Sequence, residues 1–251
     1  MATFEFNKDT IGQHIVQYGV DVRPALSLKS DRQKLLDYCQ WLTDEFPEVF
    51  ETVLSGPNRL QIQKAFPASR NKRVELPTFV VTERGPVYTF PVRVLVEEIE
   101  DLDLPKKDDI FAKVLKEFRK RFPEKRVPRV GVVNDMVFDC GSVNATDILA
   151  DALSKEAWKR ELATVKIHLE NPRDGNNVNL DVSPVVMQQV QPDVVGSTRQ
   201  NVGFGINVRL DINNQDTTGD LNDTDVSGII GFAKDYFSDE LLKFLNNETV
   251  L

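Results

Sequence analysis

Two histidines, His14 and His168, and two cysteines, Cys39 and Cys140, are the entire supply of imidazole and thiol in 251 residues. A histidine-rich metal centre is therefore excluded, and a Ser-His-Asp or Cys-His mechanism must use one of these two imidazoles. His168 stands in phase with Lys166 and Glu170 in an alternating stretch, so it reads as an exposed strand position. His14 is in phase with apolar residues and reads as a hydrogen-bonded core or strand-end histidine. Cys140 follows Asp139 and precedes Gly141-Ser142, a turn after a strand. A nucleophilic thiol needs exposure and a nearby base, and nothing local brings either imidazole to it. A hydrolase built on Cys140, His168 or aspartates is the least supported of three functional classes.

Asp211-Ile212-Asn213-Asn214-Gln215-Asp216 begins like a calcium loop. Such a loop needs Gly at its sixth position and a bidentate acid at its twelfth. Those positions hold Asp216 and Asn222, so the stretch reads as a solvated turn before a helix, with only weak cation binding left open to Asp216, Asp220, Asp223 and Asp225. No Gly-x-x-x-x-Gly-Lys-Ser/Thr phosphate loop occurs, and Gly203-Phe204-Gly205 falls inside a strand pattern where a dinucleotide fingerprint needs a helix to begin. Glu97 and Glu98 are sequence neighbours and point to opposite faces of a strand. Neither a cofactor nor a metal is expected.

The strongest charge signal is basic. Lys113, Lys116, Arg119, Lys120, Arg121, Lys125, Arg126 and Arg129 stand against only Glu117 and Glu124, in a chain of net charge −8. Phe111, Val114, Leu115, Phe118 and Phe122 form an apolar helical stripe in the same segment, so the bases fall on or near the polar face of an amphipathic helix. Converging bases could neutralise phosphates. The aromatics sit at core spacing, however, and offer no stacking platform for a single strand. The acids from Glu97 to Asp103 repel phosphate besides. An acidic protein partner ranks above nucleic acid.

These segments must be positioned by strands and helices. Period-two alternation over 14–22, 60–66, 74–82, 87–96, 129–138, 165–170, 178–187 and 202–212 predicts strands, with a hairpin loop at Glu83-Arg84-Gly85-Pro86. Helices are predicted from Ser30, which makes a capping-box spacing with Gln33, to Pro47, through the basic segment to Pro123, over 146–162, and at the C-terminal end with Asp223 or Asp225 as cap. Runs of strands between single helices predict an α+β fold with largely antiparallel sheets and a division into two similar halves, 1–104 and 105–251, that together form one or two domains.

The chain resembles a sporadically distributed family of bacterial proteins of about 250 residues whose function is unknown. The resemblance rests on Ile15-Val16-Gln17-Tyr18-Gly19-Val20-Asp21-Val22-Arg23, Glu45-Phe46-Pro47-Glu48-Val49, Arg129-Val130-Gly131-Val132-Val133-Asn134, Leu210-Asp211-Ile212 and Asp235-Tyr236-Phe237. It implies an α+β fold in a bacterial, intracellular setting and supplies no catalytic residue.

No stretch reaches the roughly 18 apolar residues of a membrane span, the first 30 residues lack a signal-like apolar core, and the sparse cysteines suit a reducing compartment. The expectation is a cytoplasmic, non-catalytic protein that binds a protein partner as an accessory or regulatory component, with a homo-oligomer left open. Nucleic-acid or nucleotide-phosphate binding through the basic helix, 113–129, is the alternative.

Overall fold

The computed structural model describes residues 4–69, 72–82, 85–92, 104–153, 165–193, 196–246 and 248. The fold is α+β. Its strands are β1 (Ile11–Arg23), β2 (Thr52–Ser55), β3 (Leu60–Ser69), β4 (Lys72–Thr82), β5 (Gly85–Val92), β6 (Arg126–Asp139), β7 (Ile167–Arg173), β8 (Asn176–Asp193) and β9 (Gly196–Asn214). They form one nine-stranded sheet in the order β2-β3-β4-β5-β1-β6-β9-β8-β7, and every neighbouring pair is antiparallel. The helices are α1 (Arg32–Glu45), α2 (Leu104–Arg121), α3 (Ala145–Leu153) and α4 (Asp223–Asp235), the last continuing through a π-helical turn, Tyr236–Leu241, into α5 (Leu242–Leu245).

The element order repeats. A long strand, a helix, a meander and a second helix run from β1 to α2, and the same series restarts with β6 and ends at α4. Each meander returns beside its own opening strand, β5 against β1 and β9 against β6, while β1 and β6 pair with each other at the centre.

Alternation decides which face is covered. Val16, Tyr18, Val20 and Val22 of β1, Val130, Val132, Met136 and Phe138 of β6 and Ile206, Val208, Leu210 and Ile212 of β9 are buried, and the helices contribute Leu35, Leu42, Phe111, Phe118, Leu149, Ile229 and Ile230 to the same core. Residues one step out of phase, such as Gln17, Gly19, Val133, Asp135 and Asp211, lie on the other face and stay partly exposed. The two ends of β4 and β5 meet at Gly85, where φ is +125° and a Cβ would stand 2.4 Å from the Val20 carbonyl oxygen. Only glycine fits there.

Tyr38 ties α1 to α2. Its ring makes edge contacts with Phe79, Phe118 and Phe122 and stacks on Trp41, and its hydroxyl donates to the Val114 carbonyl at 2.6 Å. Burial pushes the phenol well above its ordinary value, so it remains a donor.

Helix starts differ from the sequence expectation. Asp31 is the N-cap residue of α1 and makes no side-chain cap bond. Its carboxylate instead accepts from the Ser27 N–H, and the Ser27 hydroxyl accepts from Lys29 and Ser30, so the local polar groups close a preceding turn and the Ser30–Gln33 box does not form. At α4 the cap is Asn222, with Asp225 reaching back to the Asn222 N–H in a capping box. The short β2 was not foreseen, because Thr52-Val53-Leu54-Ser55 is too brief to show a period. Part of the third expected helix, the acids from Glu97 to Asp103 and the tip of the 83–86 hairpin lie outside the described residues.

Tyr38→Phe is expected to lower unfolding stability by about 1 kcal/mol, the net worth of one buried hydrogen bond, whereas Tyr38→Ala costs about 3–5 kcal/mol through the cavity it opens; chemical denaturation checks both.

Candidate functional site

The basic segment does not act as one surface. Arg119 donates to the Leu221 carbonyl and the Asp223 carboxylate, binding the α2 end to the α4 start. Arg121 bonds Glu117 at 2.8 Å and lies over the rings of Tyr38 and Trp41. Lys120 reaches the same Glu117 at 3.4 Å. Burial alone would raise the Glu117 carboxyl, but the hydrogen bonds from Arg121 and Lys120 outweigh it and hold the group below the usual range. Lys125 is nearly covered, 3.1 Å from Asp31, and also donates to the Ala25 carbonyl. Arg129 points to the opposite, open face of the sheet beside Asp21, at 3.9 Å. Lys113, Lys116 and Arg126 are exposed, and no ion pair of theirs occurs among the described residues.

The candidate nucleophiles are separated. Cys140 is buried, and its thiol is pushed up to about 11, first by burial and then by Asp139. At neutral pH it is a thiol and not an activated nucleophile. His14 is fully buried on the helix-covered face, its Nε2 2.9 Å from Asn134 Oδ1 and its ring stacked on Phe237 of the π-helical turn. His168 lies on the open face, with Nδ1 2.7 Å from Asp181 and Nε2 3.2 Å from Glu170. Those two hydrogen bonds, Asp181 first, raise it above its ordinary value. The two imidazoles thus stand on opposite sides of one sheet.

The acidic loop is spent on structure. Asp216 accepts from the Thr218 hydroxyl and N–H, which hold it below the usual carboxylate range. Asp220 accepts from the Val127 N–H at 2.7 Å, Asp223 holds Arg119, and Asp225 closes the α4 cap. Among the described residues no group of three or more metal-ligating side chains converges.

What sequence reading missed is the open face itself. Directly paired residues share a face, so the registers lay out its rows. Asp21 faces Arg129; next come Gly19, Gly131, Asn213 and Asn177; then Gln17, Val133, Asp211, Asn179 and Glu170; then Ile15, Asp135, Arg209, Asp181 and His168. Arg209 bonds Asp135 at 2.7 Å, and Asn177 donates to Asn213, which donates to Asp211, each at 3.1 Å. The two central strands bring glycine against glycine, and a depression of about 330 Å³ opens there. The signal was present in the spacing, since Gly19 and Gly131 occupy the same phase of two alternating strands, but only the β1–β6 register shows that they meet.

The carboxylate count on this face is one-sided. On the β1, β6, β9, β8 and β7 part of it, from the Asp21–Arg129 pair onward, Asp21, Asp135, Asp139, Glu170, Asp181 and Asp211 stand against Arg129, Arg209, His168 and the exposed Lys166, in phase with His168. This part of the face is therefore net acidic among the described residues and attracts cations within a Debye length.

Two tests follow the basic residues. Lys113→Glu with Lys116→Glu is expected to change stability by less than about 0.5 kcal/mol, and Arg119→Glu to cost about 2 kcal/mol because a charged donor is lost beside Asp223. Denaturant midpoints distinguish them. For Asp31, burial pulls its pKa up but the Ser27 N–H and Lys125 pull it below 3.8. A depressed folded-state pKa stabilises the fold above the ordinary value and loses that contribution as pH falls through the folded value. Asp31→Asn is accordingly expected to cost roughly 3 kcal/mol near neutrality, the low end for a buried pair, with the difference from the parent protein shrinking as pH falls below the ordinary carboxylate value and closing only below the lowered folded-state value.

No family model matches the chain, and no curated protein and no solved structure matches it.

Proposed function

We propose that this is a non-catalytic interaction protein that takes a cationic segment of a partner protein across the open face of its sheet. The observation that carries the reading is the layout of that face: the described helices pack on the other side, while this side presents an excess of carboxylates in ordered rows with a depression at the β1–β6 junction. Charge complementarity of this kind sets partner choice and association rate more than affinity. The same excess of carboxylates disfavours phosphate. The two cysteines are buried free thiols, which suits a reducing compartment such as the cytoplasm, and no helix among the described residues is long and apolar enough to cross a membrane.

A second reading, phosphate or nucleic-acid binding, draws on the exposure of Lys113, Lys116, Lys120 and Arg126. Lys113, Lys116 and Arg126 are what remains of the basic segment after internal pairing and the turn of Arg129 to the other face; Lys120 stays exposed although it reaches Glu117.

Affinity capture of the tagged protein from its host, at about 0.05 M and about 0.5 M salt, separates the two. A stoichiometric partner with a basic segment is expected at low salt, lost at high salt and lost in the triple variant Glu170→Gln, Asp181→Asn, Asp211→Asn. A partner held equally by the triple variant overturns the open-face reading, and nucleic acid that is lost on reversal of Lys113 and Lys116 promotes the second.

A further inference from the structure

We propose that the slot between β1 and β6 floored by Gly19 and Gly131 seats a guanidinium group, the arginine side chain of the partner's cationic segment. The inference rests on the open-face reading above and specifies the chemistry recognised there.

The floor comes from strand geometry. In a sheet every second residue projects from a given face, and neighbouring strands lie about 4.8 Å apart. Gly19 and Gly131 are direct partners in adjacent strands, so across two strands no side chain rises between the Asp21–Arg129 row and the Gln17–Val133 row. At ~3.3 Å per residue those rows stand about 13 Å apart. A Cβ at Gly19 would meet nothing within 4 Å, whereas one at Gly131 would lie 3.3 Å from the Asn213 Cβ. The slot is thus open above β1 and walled on the β9 side. What it exposes is flat peptide backbone.

Size and shape select the occupant. The depression of about 330 Å³ is at the bottom of the range for small-molecule sites, about 300–1,000 Å³, which fits one long side chain better than a cofactor. A guanidinium is planar, weakly hydrated and stacks on flat surfaces, so it can lie on the bare backbone while its edge donors reach the walls. Acceptors line it at separate corners: the carboxylate of Asp211, whose Oδ1 would lie 3.9 Å from a Cβ at Gly131, and, four residues apart on β1, the carboxylate of Asp21 and the Gln17 amide. An ionised carboxylate has about four acceptor sites. Asp21 meets Arg129 only at 3.9 Å, with both side chains close to half exposed, and Asp211 takes one bond from Asn213. Both keep capacity for an incoming donor. Among the described lining residues Arg129 is the one cation, and it already stands beside Asp21. A lysine ammonium is a compact, strongly hydrated charge that gains nothing from a flat floor.

The test is a titration of the isotope-labelled full chain with Nα-acetyl-arginine amide, read as amide chemical-shift changes, with Nα-acetyl-lysine amide as control. Saturable shifts are expected at Gly19, Gly131 and Gln17, with the lysine probe at least about tenfold weaker because it lacks bidentate donors. Gly19→Val puts a Cβ where nothing lies within 4 Å and suits strand backbone, so it is expected to keep a dispersed spectrum and abolish the response. Asp211→Asn weakens it about tenfold, as loss of a charged acceptor does, and serves alone if Gly19→Val does not fold. Absent shifts, equal response to both probes, or a response untouched by Gly19→Val or Asp211→Asn overturns the proposal. If the arginine probe fails while partner capture still depends on Glu170, Asp181 and Asp211, the slot assignment falls and the open-face reading stands. If the probe binds the slot while capture ignores those carboxylates, the guanidinium seat stands and the partner reading falls.

Discussion

The pairing of β1 with β6 is the constraint on which the other elements depend. It runs from Ile11↔Phe138 to Arg23↔Arg126 with one irregularity near each end, and it joins strands separated by more than a hundred residues. Once that register is set, β5 and β9 take the two outer edges of the central pair, and each meander extends the sheet away from it. A slip of one residue would exchange the faces of either strand, turning Tyr18 and Val132 outward and Gln17 and Val133 into the core. Burial therefore specifies the register strongly. The same register is what sets Gly19 against Gly131, so the floor of the slot is a by-product of how the two halves are joined.

Polar groups inside the covered face reinforce that register. His14 meets Asn134 across the β1–β6 boundary at 2.9 Å, and Tyr18 donates to Asp108 of α2 at 2.5 Å while its ring stacks on Phe111. Burial and the neighbouring carboxylate both push the Tyr18 phenol up, keeping it protonated as a donor. At the other end of β6, Asn214 accepts from the Val130 N–H and donates to the Pro128 carbonyl, and Val127 exchanges bonds with the loop before α4 through Asp220 and Leu221. Each of these contacts is satisfied only in one alignment, and leaving a buried polar group unpaired costs more than its bond contributes. Such contacts add specificity to a core that is otherwise non-directional.

Much of this architecture was legible in local patterns. Alternation exposed β1 and β6 nearly to their ends and the C-terminal two thirds of β9, whose first six residues, from Gly196, it did not show, and the stripe from Phe111 to Phe122 identified the buried side of α2, because both signals lie within a few residues of one another. The strand runs between single helices were enough for an α+β assignment. What was illegible depends on distance along the chain. The sequence shows eight bases close together but not that Arg119 spans to Asp223, that Lys125 reaches Asp31, or that Arg129 falls on the far side of the sheet. Likewise Asp223 and Asp225 were plausible caps by residue type, and Asn222 took the position because its side chain reaches both Thr224 and Asp225 N–H groups while Asp225 answers from the third turn position.

The distribution of charge follows from the same long-range contacts. Bases of α2 and its flank are drawn into holding helices and loops together: Arg119 fastens α4, Arg121 covers Tyr38 and Trp41, and Lys125 closes the α1 entry. The carboxylates that pair with them are likewise withdrawn from recognition. On the open face Arg209 is matched to Asp135 and Arg129 loosely to Asp21, while His168 sits between two acids and leaves that trio net anionic even when the imidazole is protonated. The carboxylates of the open face thus stand in rows spaced by the sheet. Rows of fixed spacing on a flat support hold charge at defined intervals, whereas the exposed lysines of α2 carry theirs on long, freely rotating stems.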